Sequence, residues 1–365
     1  MEAQAAAKRS STAFFDELRD TWREAADRAG GVVTRTYRVA GNRLEIRCAG
    51  DALVAPLTRA LAHLAPDAPQ GDTLVVHAWE SETTGTTLPH APWGPDDYRE
   101  HGRIRGHFDD RVQSVFQWGS RSLVMLDVER NEALYWVAAA RQIPYFEMAA
   151  PLRLVLHGWL GARGVELVHA AAVGTEDGCV LLVGKAGSGK SWTTLASLAG
   201  GLRLLADDYC LVTGGPQPRV ASVYSAAKTH AEALDRLPFL NDMVSNPIRP
   251  AVDKAVYFLH EHTPDRMLLE ADLRAILIPK RAGEGVATVR PALSAAALAA
   301  LAPSTILQLP AAGSHTLERL AGIVRAVPSY VLELGTSLDA IPTAIAPLLE
   351  PRLGRHGDES SHREH

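Results

Sequence analysis

The stretch from Gly184 to Ser191 has residue types and spacing suited to binding phosphate. It has the P-loop pattern Gly-x-x-x-x-Gly-Lys-Ser. Glycines let the backbone curl so that consecutive N–H groups point inward. In such a loop the Lys190 ammonium reaches the β- and γ-phosphates, and the Ser191 hydroxyl holds Mg²⁺. The predicted nucleotide-binding residues are Gly184, Lys185, Ala186, Gly187, Ser188, Gly189, Lys190, Ser191 and Trp192.

A phosphate loop needs a strand before it and a helix after it. The apolar run 178–183 predicts the strand, and the run 191–198 predicts the start of the helix. The N-terminus of that helix adds partial positive charge where phosphate oxygens would lie. No Asn-Lys-x-Asp guanine signature follows. We therefore expect ATP as the nucleotide, with Mg²⁺ as the cofactor.

Two adjacent carboxylates, Asp207 and Asp208, follow the predicted strand 202–206. One would bind Mg²⁺, and the other would orient and deprotonate an attacking hydroxyl. We assign the metal to Asp208 together with Ser191, and the role of base to Asp207. A protein that only binds ATP needs one such carboxylate, so the pair favours a kinase over a non-catalytic ATP-binding regulator.

Two further residues are candidates for the site. His169 lies in the apolar run 165–173, which predicts one continuous strand directly upstream of the phosphate loop. A lone histidine in such a run is more often a core residue, but its place beside the loop favours a function. Lys228 follows the strand-like segment 220–224 and is the best candidate for a second cation that contacts a phosphate or the acceptor.

Three segments together carry a family resemblance. His169-Ala-Ala-Ala-Val173, the phosphate loop, and Leu205-Ala-Asp-Asp208 follow one another at short spacing. This order resembles the C-terminal catalytic domain of bacterial HPr kinase/phosphorylase, over roughly residues 167–212. The resemblance implies a fold related to phosphoenolpyruvate carboxykinase. It also implies that the catalytic residues are Asp207, Asp208, His169 and Lys190, with His169 near the acceptor.

The sequence departs from that family after the carboxylates. Segment 223–230 stands where the bifunctional enzymes carry a glycine-rich Arg-Gly-Leu-Gly-Ile segment. We therefore predict a kinase without useful phosphorylase activity. The whole-chain layout is similar to HPr-kinase-related proteins found with ribosomally made, modified peptides such as lasso peptides. That similarity implies a peptide or protein substrate with an acceptor serine. A small-molecule hydroxyl kinase is the alternative.

The order of predicted elements indicates an α/β protein with two regions. Residues 1–145 predict an α+β module for partner recognition or homo-oligomer formation. Residues 146–351 predict the P-loop kinase domain, an α/β domain like that of HPr kinase and phosphoenolpyruvate carboxykinase. A helix over 146–160 would open it. The charged tail 352–365 predicts disorder.

The composition limits the partners that we expect. The chain has 365 residues and a net charge of −5, so there is no general electrostatic case for nucleic acid or an anionic membrane. No uncharged apolar run reaches the ~18 residues of a membrane span. The N-terminus lacks the apolar core of a signal peptide. Cys48, Cys179 and Cys210 are far apart and predict buried thiols. We therefore expect a cytoplasmic protein.

Overall fold

A computed structural model describes residues 9–64, 71–230, 234–250, 253–309 and 314–350. Helices and strands mix along this part of the chain, which confirms the predicted α/β class. The predicted tail lies outside the described residues. The helices are α1 (Ser11–Arg28), α2 (Val54–Thr58), α3 (Ser81–Thr84), α4 (Tyr145–Met148), α5 (Arg153–Gly161), α6 (Lys190–Ala199), α7 (Ser294–Ile306), α8 (Ser314–Ala326) and α9 (Ala340–Ile345).

The first region builds one sheet, in the order β1-β2-β3-β7-β6-β5-β4 among its described strands. Strand β3 runs parallel to β2 and β7, and the other pairs are antiparallel. Apolar residues of α1 at helical spacing, Phe14, Leu18 and Trp22, are buried against this sheet. The strands are β1 (Val32–Val39), β2 (Asn42–Ala49), β3 (Thr73–Glu80), β4 (Arg103–Phe108), β5 (Val112–Gln117), β6 (Ser122–Asp127) and β7 (Glu132–Val137).

The second region builds a larger sheet, with the path β11-β9-β10-β16-β13-β12-β8 among the described strands. Strand β18 pairs with both β16 and β17, while β14 and β15 form a separate two-stranded sheet. The strands are β8 (Val165–Val168), β9 (Ala171–Thr175), β10 (Gly178–Leu182), β11 (Arg203–Ala206), β12 (Cys210–Thr213), β13 (Arg219–Ala221), β14 (Ala226–Thr229), β15 (Ala255–Phe258), β16 (Glu270–Arg281), β17 (Thr288–Ala292) and β18 (Ser329–Leu334).

Two short connections run from one end of this strand path to the other, and each end is an antiparallel strand pair. Strand β9 pairs with β11, and β8 pairs with β12. Yet β8 leads directly into β9, and β11 leads directly into β12, with only two or three residues between. The crossing points are His169-Ala170 and Asp207-Asp208-Tyr209. The fold therefore brings His169 and both carboxylates to one place.

Two predicted elements are wrong in their extent. The run 165–173 is two strands, because the chain turns at His169 and the Ala170 N–H donates to the Val168 carbonyl at 3.0 Å. The helix predicted over 146–160 is interrupted between α4 and α5. Pro151 disfavours the helical conformation of the residue before it, and Leu152 takes a left-handed φ of 54°.

The two regions share one buried apolar cluster. It joins Val39 and Leu44 of the first sheet to Trp159 of α5 and to Leu211 and Val223 of the second region. The division into modules at residue 145 stays a prediction. The three cysteines are buried and free, as predicted. Within the described ranges, no helix has the length and apolarity that crossing a membrane would need.

Gly174 of β9 should be intolerant of a side chain. A Cβ there would lie 2.2 Å from the carbonyl oxygen of Gly178 on the neighbouring strand. We expect Gly174→Ala to lower the free energy of unfolding by about 1–3 kcal/mol, as overpacking does. The control is Gly161→Ala in α5, where an added Cβ meets no atom within 4 Å. Urea denaturation of the two variants checks this, and equal midpoints would contradict it.

Candidate functional site

The phosphate loop lies between β10 and α6, in the context that the motif requires. Strand β10 pairs in parallel with β16, and the Val183 N–H extends that pairing to the Leu277 carbonyl at 2.9 Å. Gly189 precedes α6 with a φ of 106°, and a Cβ there would lie 2.6 Å from Leu334 Cδ1. Only glycine fits that position without displacement. The predicted strand–loop–helix arrangement is therefore confirmed.

Lys190 points into the loop that it follows. Its ammonium donates to the Gly184 carbonyl at 2.6 Å, and the residue is buried. Burial lowers the pKa of Lys190, while the charges of Asp208 and Asp207 oppose that shift. The ammonium is thus held inside the loop, within electrostatic range of both carboxylates.

The remaining loop residues divide into an exposed tip and a packed base. Lys185, Ala186 and Gly187 are exposed, whereas Ser188 is half-buried and its hydroxyl has no hydrogen-bond partner among the described residues. Trp192, in the first turn of α6, packs against the apolar core, and the Arg236 guanidinium lies 4.6 Å from its ring centroid. The indole is therefore held in place beside the loop.

Asp207 is buried, and its surroundings fit a cation. Its Oδ2 accepts a hydrogen bond from the Lys228 backbone N–H at 2.9 Å. Its Oδ1 is buried with no hydrogen-bond partner in the described part of the chain. Burial raises the pKa of Asp207 to about 6, although the Lys228 N–H and the Ser191 hydroxyl act to lower it. The Ser191 hydroxyl, in the first turn of α6, and the Asp207 carboxylate thus lie close enough to interact.

Asp208 has different neighbours. Its Oδ1 lies 3.0 Å from His169 Nε2, and its Oδ2 lies 2.5 Å from the Lys228 ammonium. Burial alone would raise the pKa of Asp208, but Lys228 and His169 together hold it well below its usual range. Both oxygens are therefore occupied by protein groups, and the carboxylate stays ionised.

Residues that sequence reasoning missed hold His169 in place. The His169 N–H donates to the Thr305 hydroxyl at 3.2 Å, from helix α7. The Tyr209 ring lies 5.2 Å from the imidazole, and Arg153 donates to the Tyr209 hydroxyl at 2.8 Å. Tyr209 directly follows the carboxylate pair, which is a usable sequence signal. Thr305 and Arg153 are too distant in sequence for any spacing rule to find them.

The arrangement offers two chemically distinct carboxylates at one end of the phosphate loop. Ser191 and Asp207 supply hydroxyl and carboxylate oxygens, the ligands that Mg²⁺ prefers when phosphates complete its coordination. The second carboxylate, Asp208, contacts His169 and Lys228 next to the Asp207 side of the site. No group of three or more His, Cys, Asp and Glu side chains suited to a metal occurs in the described residues. A cation here would therefore depend on phosphate oxygens for most of its ligands.

Comparison with known proteins does not show a family for this chain. No protein-family model and no curated protein matches the sequence. Among solved structures, the chain is similar to the Hpr(Ser) kinase/phosphatase from Coxiella burnetii, at 12% sequence identity and a TM-score of 0.29. The match covers 49% of this chain and 93% of that chain.

Metal-dependent binding should depend on pH through Asp207. The carboxylate must be ionised to bind a cation, and its pKa is about 6. We expect Mg²⁺-dependent ATP affinity to hold above that pH and to fall as the pH drops through it, by roughly tenfold per pH unit well below the pKa. Calorimetry with and without Mg²⁺ from pH 5 to pH 8 measures this. Asp207→Asn should show a weak Mg²⁺ dependence that keeps only the pH dependence from the ionisation of the ATP phosphates; a profile equal to that of the wild-type chain would contradict the assignment.

Proposed function

We propose that this chain is an ATP- and Mg²⁺-dependent kinase that transfers the γ-phosphoryl group to a hydroxyl. The main support is that two carboxylates with different neighbours lie beside the phosphate loop. A loop alone supports nucleotide binding. The second carboxylate, paired with His169 and Lys228, supplies what transfer to a hydroxyl needs besides binding.

The loop and α6 would bind the nucleotide. Backbone N–H groups of the loop and the N-terminus of α6 would donate to the β- and γ-phosphates. The Lys190 ammonium donates a hydrogen bond to the Gly184 carbonyl, and a phosphate oxygen would replace that carbonyl as its partner. The exposed tip leaves the loop open to a ligand from solvent.

Ser191 and Asp207 would hold Mg²⁺. The unpaired, buried Oδ1 of Asp207 is the specific support, since a buried acceptor without a partner is costly unless a ligand satisfies it. A bound Mg²⁺ would neutralise charge on the phosphates. This assignment reverses the expectation from sequence that Asp208 binds the metal, because both oxygens of Asp208 already contact cationic or hydrogen-bonding side chains.

Asp208 would then act on the acceptor. The acceptor oxygen attacks the γ-phosphorus, the bond from that phosphorus to the bridging oxygen breaks, and ADP leaves with the bonding electrons. The hydroxyl proton passes to a remaining lone pair of Asp208, which His169 orients. A carboxylate with a depressed pKa is a weak base, which suffices where the transition state is loose and the proton leaves late. Lys228 would stabilise charge on the transferring group.

The acceptor that we propose is a serine on a peptide or protein. The support is the sequence resemblance of His169, the phosphate loop and Asp207-Asp208 to the HPr kinase catalytic domain. The segment 223–230 lacks that family's glycine-rich sequence and instead carries Lys228 into the site. This supports a kinase without phosphorylase activity, acting on a substrate other than HPr.

The direct test is phosphoryl transfer to a panel of serine-containing peptides and small hydroxyl compounds with ATP and Mg²⁺. We expect mass spectrometry to find a phosphoserine peptide with the wild-type chain. Lys190→Ala should abolish it, and Arg23→Ala, which changes an exposed residue of α1, should not. Asp208→Asn should bind ATP normally but lose turnover by ~10²–10⁴-fold, towards the smaller end for a loose transition state.

The outcomes separate the alternatives. Transfer only to small hydroxyl compounds would replace the peptide substrate. ATP binding that Lys190→Ala weakens, without transfer to any acceptor, would leave a nucleotide-binding regulator. Full turnover in Asp208→Asn would remove the proposed chemical role of that residue.

A further inference from the structure

Lys228 lies on a small sheet that needs support from elsewhere. Strands β14 and β15 pair only with each other within the described residues. A two-stranded sheet is marginal on its own in water. Yet Lys228 has to be placed accurately, because its backbone N–H donates to Asp207 and its ammonium pairs with Asp208.

The first region supplies that support through the 3-10 turn Arg59–Leu61. The Ala60 carbonyl accepts from the Ser225 backbone N–H at 2.9 Å, and the Ser225 hydroxyl lies 3.2 Å from the same oxygen. Ser225 is fully buried and directly precedes β14. Its hydroxyl also lies 2.7 Å from His260 Nδ1. The start of β14 is thus fixed to a backbone carbonyl of the other region.

Arg59 fixes the strand that pairs with β14. Its guanidinium donates twice to Glu261, at 2.6 and 2.7 Å, and lies 4.1 Å from the ring centroid of Phe258. Phe258 is the last residue of β15 and pairs with Ala226, two residues before Lys228. A planar guanidinium that is bidentate and stacked resists displacement more than a single exposed ion pair does.

We propose that Arg59 is a positioning residue for the transfer site. Acting through Glu261, Phe258 and the β14–β15 pair, it sets the place of Lys228 against Asp207 and Asp208, so that the first region completes the site of the second. This rests on the proposed kinase function for its catalytic consequence. The structural part, that the turn Arg59–Leu61 holds β14, stands independently of that function.

The variants are Arg59→Ala, Glu261→Gln and the exchanged pair Arg59→Glu with Glu261→Arg. Arg141→Ala is the matched control, because Arg141 makes an exposed ion pair with Glu82 in the same region, away from β14. Three quantities are measured in each full-length protein. Hydrogen exchange over 226–229 reports on β14, steady-state kinetics with ATP report on transfer, and calorimetry gives the dissociation constant for ATP.

We expect Arg59→Ala and Glu261→Gln to speed exchange over 226–229 and to lower kcat by about tenfold to a hundredfold, as a small misplacement of a catalytic group does. The dissociation constant for ATP should stay within about twofold, since the loop lies on β10 and α6. The exchanged pair should partly restore the slow exchange and kcat, and Arg141→Ala should leave the exchange rate and kcat unchanged.

Unchanged exchange over 226–229 in Arg59→Ala overturns the proposal, whether or not turnover falls. Faster exchange with undiminished kcat also overturns it. If the wild-type chain transfers no phosphoryl group to any acceptor, the proposed function fails, while the exchange measurement still decides whether Arg59 holds β14. A loss of ATP affinity equal to the loss of kcat would show general damage and would also overturn it.

Discussion

The Asp208 carboxylate pairs with the Lys228 ammonium, and much of the structure serves this contact. About three-quarters of the Asp208 side chain is buried, and a carboxylate in that position needs opposite charge and hydrogen bonds around it. Lys228 supplies the charge and His169 supplies the hydrogen bond. Removing Lys228 would leave an uncompensated charge beside the phosphate loop, and removing His169 would leave Asp208 Oδ1 without its hydrogen bond. The elements that carry these three residues must therefore be held in register with one another.

The strand crossing provides most of that register. The β8–β9 and β11–β12 connections run between the same two antiparallel strand pairs. His169 on one connection therefore lies opposite the carboxylates on the other. The crossing also separates the two carboxylates. Asp207 turns towards Ser191 and the Lys228 N–H, while Asp208 turns towards His169 and the Lys228 ammonium. Adjacent residues thereby acquire opposite pKa shifts, which is how one site can divide metal binding from proton transfer.

The sequence predicts the local parts of this site well. The loop from Gly184 to Ser191 could be found because the phosphate-loop motif has glycines and a lysine at fixed spacing, and the flanking apolar runs identify their strand and helix. The sequence identifies Lys228 as a candidate residue but does not show which side chain it contacts. Its contact with Asp208 depends on where β14 lies, and Ser225, just before β14, is hydrogen-bonded to the Arg59–Leu61 turn, more than 160 residues earlier in the chain.

Other features were beyond sequence reasoning for the same physical reason. A run of apolar residues over 165–173 has no signal for a crossing, since both halves are buried and strand-like. The division of work between Asp207 and Asp208 depends on the direction in which the chain bends after β11, which alternation in a straight strand cannot reveal. Thr305 approaches His169 from a helix that packs only in the folded chain.

A crystal structure with Mn²⁺ and a non-hydrolysable ATP analogue would show directly which carboxylate binds the metal. Anomalous scattering locates the ion without reference to the surrounding density. We expect Mn²⁺ on the Ser191 hydroxyl and Asp207 Oδ1, with Asp208 still bound to His169 and Lys228. An ion on Asp208, with Lys228 displaced, or an ion that contacts neither carboxylate, would contradict the division of roles between the two.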